Sequence, residues 1–190
     1  MKKDKLQTLF HVCLFTAFIA LLGYMCMYFL ANLDVPRGTV LDADYVSKLR
    51  KTYLFVKLGY ISLSIMVLSI IEAAVAHLIR KTEKRAVYLF IANFILLLFS
   101  IPVIDLCFKT VSCAVVDPVV CELTLSEKKH HTHRHSTTYD FCFSNGCTVR
   151  TSEEEYYDTD IGDKFYGVTC GDATLGLFKP NEYTLPPEQD

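Results

Sequence analysis

The chain contains no tryptophan. Membrane proteins usually fix their water interfaces with tryptophan and tyrosine, so here tyrosine alone must serve. Tyr24, Tyr28, Tyr53, Tyr60 and Tyr88 fall near the ends of long apolar runs. No Cys-x-x-Cys pair occurs among the eight cysteines, which removes the usual spacing of a zinc site. Also missing are a glycine-rich phosphate loop, a nucleophile–base arrangement and a paired-carboxylate signature. An enzyme is therefore not expected, and no cofactor is implied beyond the transition metal considered below.

What is present divides into two unlike halves. Residues 1–109 carry thirteen Lys and Arg against seven Asp and Glu, a net charge of +6. Residues 110–190 carry six against fourteen, a net of −8. Such asymmetry points to two units in different surroundings. The acidic half repels nucleic acid and anionic lipid surfaces, so nucleic acid is excluded as its partner.

Three apolar runs precede Lys109, at Leu9–Leu30, Leu58–Ile79 and Val87–Phe108. Each has the roughly 20 residues a helix needs to cross the hydrocarbon core. Fifteen residues of the third run are Val, Leu, Ile or Phe, enough to outweigh its few polar groups. Glu72 weakens the second, at about 3 kcal/mol if fully embedded. The expected plan is a transmembrane domain over 1–109 and an extramembrane domain over 110–190. Met1-Lys-Lys-Asp-Lys5 ahead of the first run fits a signal anchor that is not cleaved, because the run exceeds a signal-peptide core and no small-x-small site follows.

Flanking charge sets the expected orientation. Lys2, Lys3, Lys5, Arg80, Lys81, Lys84 and Arg85 share one side; Arg37, Lys48, Arg50, Lys51 and Lys109 share the other with Asp34, Asp42, Asp44 and Asp105. The positive-inside rule then places the N-terminus in the cytoplasm and the C-terminal domain outside it. Cys113, Cys121, Cys142, Cys147 and Cys170 are candidate disulfide partners there, with Cys107 close by, since a unit of this size buries little apolar surface. Reduced, buried thiols are the competing reading.

Beyond Lys109 the apolar period changes to two. Cys121, Leu123 and Leu125 alternate with polar residues, as do Tyr139, Phe141 and Phe143. Asn145-Gly146 predicts a type I′ hairpin turn into Cys147–Thr151, and further strands fit Lys164–Cys170 and Thr174–Phe178. Glu153–Asp158 suits a helical turn with Ser152 as N-cap and Glu155 three residues on. The expected fold is a small all-β barrel or sandwich of about five strands. Phe143-Ser-Asn-Gly146, Ser152-Glu-Glu-Glu-Tyr156 and Ile161-Gly-Asp-Lys-Phe-Tyr166 resemble a pattern in small membrane-anchored β-barrel domains of bacterial proteins of unknown function. The plan of several spans followed by a β-barrel is similar to short NfeD-like proteins. The resemblance covers about 45 residues, departs from that family in its cysteines and histidines, and implies a fold without catalytic residues.

Three constellations invite a chemical reading. In an extended Lys128–His135 segment, His131, His133 and His135 would share a face, and with His130 they form a candidate site for zinc, copper or nickel. Arg134 and two lysines oppose a cation there, so a solvated hairpin loop is the stronger reading. Asp158–Asp163 has calcium-loop spacing but lacks the twelfth-position carboxylate, where Thr169 stands, and is better read as a turn. Within the membrane, Glu72 and Asn93 lie equidistant from the Arg80–Arg85 loop, an arrangement suited to an interhelical hydrogen bond or, less economically, an ion path. Three functions follow as expectations: a membrane-anchored interaction or accessory protein with the β-domain as recognition module; an oligomeric pore or transporter subunit using Glu72 and Asn93; an extracytoplasmic metal binder using the histidines. The expected partners are the lipid bilayer, another membrane or envelope protein, and further copies of the chain.

Overall fold

In a computed structural model, residues 3–81, 85–134, 136–171 and 173–187 are described, with backbone alone at 3–5, 80, 81, 85–93, 95, 99 and 133. The chain forms two compact units, Met1–Val35 with Lys51–Val115, and Pro36–Arg50 with Val116–Asp190.

The first unit is helical. Helix α1 spans Lys3–Leu33, α2 spans Ala43–Lys81 and α3 spans Arg85–Val115. Each contains a stretch long and apolar enough to cross a membrane: Leu6–Leu33, Ala43–Ile79 and Leu96–Val115. The helices overrun the expected spans because nothing stops them earlier. For α2 the start is set by Asp42, whose carboxylate accepts from the Tyr45 amide at 2.7 Å.

The burial pattern of this unit is that of a protein solvated by lipid. Leu6, Cys13, Ala17, Ala20 and Ala31 of α1 are buried, at spacings that keep one stripe of the helix turned inward, while Phe15, Phe18, Met25 and Phe29 are exposed. On α2 beyond Lys51 the buried residues are Gly59, Ser69, Ala73, Ala76 and Ile79. Small residues let two backbones approach in hydrocarbon, where apolar surface gains nothing by hiding. A Cβ on Gly23 would lie 2.8 Å from the Ser62 hydroxyl, and Ser62 donates to the Ala20 carbonyl at 2.7 Å.

The second unit is a five-stranded antiparallel sheet, curled into a half-barrel. Its strands are β1 (Val119–His133), β2 (Ser136–Phe143), β3 (Thr148–Thr151), β4 (Lys164–Cys170) and β5 (Ala173–Phe178), in the order β3-β2-β1-β4-β5. A short helix, α4 (Glu153–Asp158), joins β3 to β4. Strand β1 makes the curl possible, pairing with β4 through Val119–Thr124 and with β2 through Leu125–His133. Leu123, Leu125, Phe141, Phe143, Phe165 and Tyr156 of α4 form the core on the concave side. Gly167 is required there, since a Cβ would sit 2.4 Å from a Leu123 methyl.

Segment 36–50, which the sequence leaves beside the spans, packs in this unit. Leu41 is buried and its amide donates to the Thr184 carbonyl at 2.9 Å. Tyr45 meets the rings of Phe178 and Tyr183.

Three local expectations change. The β2–β3 turn is a three-residue loop: Gly146 donates to the Phe143 carbonyl at 2.9 Å and Phe143 to the Cys147 carbonyl at 2.9 Å. Only Gly146 takes a positive φ, of 83°, so Asn145 is spared the left-handed conformation that type I′ would demand. The histidine tract is not a loop. Its residues through His133 belong to β1, Arg134 stands in a turn, and His135 lies outside the described residues. Ser152 does cap α4, accepting from the Glu155 amide at 3.2 Å, but the Glu155 carboxylate takes the Thr151 hydroxyl at 2.6 Å instead of closing the box.

Candidate functional site

The outermost strands of the half-barrel are β3 and β5, and two cavities lie between them. One of about 550 Å³ is floored by Phe141, Phe165 and Leu177 and walled by Glu154, Asp158 and Thr159 at the end of α4. Another, of about 610 Å³, lies toward the strand starts and is lined by Cys147, Thr148, Thr169 and Thr174. Val149 and Arg150 line both. At the narrow point the Cys147 thiol and Thr174 hydroxyl are 3.1 Å apart.

How the concave wall is built explains which polar groups reach this site. The β1–β2 register shifts at Ser126, whose hydroxyl donates to the Cys142 carbonyl at 2.8 Å. Such a bulge inserts one residue and reverses which side chains face inward. Before it Leu123 and Leu125 point into the core; after it Lys128, half-buried, and His130, exposed, lie on that same face opposite Phe141 and Tyr139. Lys128 donates to the Thr159 carbonyl at 2.7 Å, and its ammonium stands 4.6 Å from the Tyr156 ring centre. The Thr159 hydroxyl, in a residue 1% exposed, has no hydrogen-bond partner among the described residues. Tyr139 packs on Tyr156; burial, then the nearby Glu153 carboxylate, pushes its phenol up to about 12.

The sequence candidates scatter. His130 lies 6.3 Å from Tyr156, ring to ring, with its Nδ1 3.5 Å from the Tyr156 hydroxyl. His131 is exposed on the opposite face, as neighbours on a strand must be, so these two share no metal. The side chains of His133 and His135 lie outside the described residues. Among those described, no group of three or more His, Cys, Asp or Glu is placed to hold a metal ion. At Asp160–Asp163 a turn forms: the Asp163 carboxylate accepts from the Asp160 amide at 2.9 Å, and Gly162 adopts a φ of 102°.

No disulfide joins the expected cysteines. All eight are thiols. Alternation places Cys142 on the face opposite Cys147, and each bonds locally: Cys121 to the Gly167 carbonyl at 3.4 Å, Cys170 to the Val116 carbonyl at 3.1 Å, Cys142 with Thr148 at 3.7 Å. Cys113 is fully buried in the helical unit. Disulfides therefore lend no support to an external β-domain, and the orientation rests on flanking charge.

Glu72 finds a partner the sequence did not suggest. The Cys13 thiol on α1 lies 3.6 Å from its Oε2, while the side chain of Asn93 lies outside the described residues. The inward turn of Lys128, Thr159 and the seam also escaped notice. A strand bulge would have had to be foreseen at Ser126, and no residue type marks one.

No family model, curated protein or solved structure matches this chain.

Proposed function

We propose that this is a membrane-anchored interaction protein whose half-barrel is the recognition module, with no catalytic role of its own. The observation that carries it is the open seam, a groove between two sheet margins with an aromatic floor and an unpaired buried hydroxyl. Concave, partly apolar clefts with a few polar groups are where proteins bind ligands. The three span-forming helices supply the anchor. The proposed orientation has the N-terminus in the cytoplasm and the half-barrel outside, following the excess of Lys and Arg at the N-terminus and at Arg80–Arg85.

Two measurements test it. A reporter that matures only in the cytoplasm, fused after Asp190, should stay dark; fluorescence would overturn the orientation. A photo-activatable residue at Thr148, exposed beside the seam, should join the chain to one discrete partner in intact membranes. Labelling from every position tried on the half-barrel that yields lipid or nothing would remove the recognition reading.

A further inference from the structure

Resting on that reading, we infer that the seam takes an extended, positively charged segment of a partner protein, which enters as a sixth strand and closes the half-barrel. Strand direction is the first argument. Every neighbouring pair in the order β3-β2-β1-β4-β5 is antiparallel, so β3 and β5 run the same way. They cannot pair with each other in the pattern the sheet uses throughout. One added strand running opposite to both would be antiparallel to each and would keep the pattern of the sheet unbroken.

The margins themselves invite addition. Strand β5, Ala-Thr-Leu-Gly-Leu-Phe, carries no charge and no proline, and residues 174–178 are half-buried. Segment 36–50 covers part of it, through Tyr45 at Phe178 and Leu49 near Gly176; bare amides elsewhere along an edge pair with any strand offered. On β3 the antiparallel alternation that joins Phe143 to Cys147 directs the amides of Thr148 and Arg150 away from β2. Backbone pairing would supply affinity and alternate side chains specificity, as in other strand-addition complexes.

Charge selects the occupant. Glu154, Glu155, Asp158 and Glu182 line the cavity at the end of α4 against Arg150 and Lys179. Arg150 is turned to Asp140 at 3.4 Å, and among the described residues no cation pairs with Glu154, Asp158 or Glu182. A segment with Lys or Arg at alternate positions would meet these carboxylates with its side chains over the α4 end. A hydroxyl or amide from it would satisfy Thr159. An acidic strand would be repelled, and that includes a second copy's β5 followed by its own acidic tail.

The test uses the full-length chain in nanodiscs and three synthetic heptapeptides: Val-Lys-Thr-Val-Lys-Thr-Val, its Glu-for-Lys counterpart, and the lysine peptide with alternate amides N-methylated. The lysine peptide should bind and slow amide exchange in β3 and β5. The glutamate peptide should bind at least tenfold more weakly, and the N-methylated one should lose the exchange protection. Glu154→Lys with Asp158→Lys, both exposed positions, should weaken the lysine peptide about tenfold or more with unchanged thermal stability. Equal binding by the N-methylated peptide would mean simple charge adhesion and overturn the strand. No binding at millimolar peptide would overturn it too, as would a Thr148 cross-link between two copies of the chain. A discrete cross-link to a partner from the convex face alone would leave the recognition reading standing while the seam proposal falls.

Discussion

The two units bury opposite kinds of residue. The helical unit hides alanine, cysteine, serine and glycine along its α1–α2 seam and exposes Phe15, Phe18 and Phe29; the half-barrel hides Phe141, Phe143, Phe165 and Leu125 and exposes Glu154, Asp158 and His131. Each inversion follows from its solvent. In water, burying a large apolar side chain removes area worth about 25 cal/mol per Å². In lipid that gain vanishes, and close backbone approach through small residues takes its place. Equivalent substitutions should therefore have opposite consequences in the two units.

The largest effect expected is in the half-barrel core. Phe141→Ala should cost about 3–5 kcal/mol, the usual loss for a buried phenylalanine, because Phe141 is 2% exposed and touches Phe143, Tyr156 and Phe165. Phe15→Ala, at 66% exposed, should change helical-unit stability by no more than about 0.5 kcal/mol, as surface changes usually do. Alkylation of buried Cys170 along a urea gradient reads the first, and ellipticity along an SDS gradient the second. Equal losses would end the two-solvent account.

Much of this contrast was legible in the sequence. The three helices and the five strands follow from apolar length and from a period that changes after Lys109. The half-barrel's openness was not legible, because closure depends on how far β1 curls and on the direction of strands it never touches. Nor were the groups that line the seam. Lys128 reads as part of a solvated basic tract until the bulge at Ser126 turns it inward. Segment 36–50 carries no apolar run long enough to announce that it packs with β5, and only Leu41, Tyr45 and the Asp42 cap betray it afterwards.

The α1–α2 seam gives the next effect. Gly23→Leu forces a side chain into the space of the Ser62 hydroxyl, 2.8 Å from a Cβ at that position, and should cost about 1–3 kcal/mol by overpacking. SDS titration should show the loss, with Cys170 protection in the half-barrel unaltered. A gain in stability from the added leucine would mean that hydrophobic area, not close approach, holds these helices.

Lys128→Met should cost about 1–2 kcal/mol in the half-barrel, since the stem still covers Tyr156 but the Thr159 carbonyl loses its donor. His131→Ser, on the exposed face, should leave the same urea midpoint in place. If the histidine change is the costly one and zinc restores it, the tract is a structural metal site after all.

The smallest effect separates helix packing from transport. Glu72 lies inside the second span, exposed apart from the Cys13 thiol at 3.6 Å. A carboxylate in hydrocarbon is costly unless it faces protein or water. If its work is to tie α2 to α1, Glu72→Gln keeps an acceptor for the thiol and removes the embedded charge. The net change should stay within about 0.6 kcal/mol, the average for a polar contact between membrane helices. Cys13→Ala should cost no more, because it removes a weak donor and leaves a small residue in a seam already built from them. Reconstituted protein should carry no proton or cation current, with or without Glu72. A flux abolished by Glu72→Gln, with SDS stability intact, would show that this carboxylate is held in the membrane to conduct.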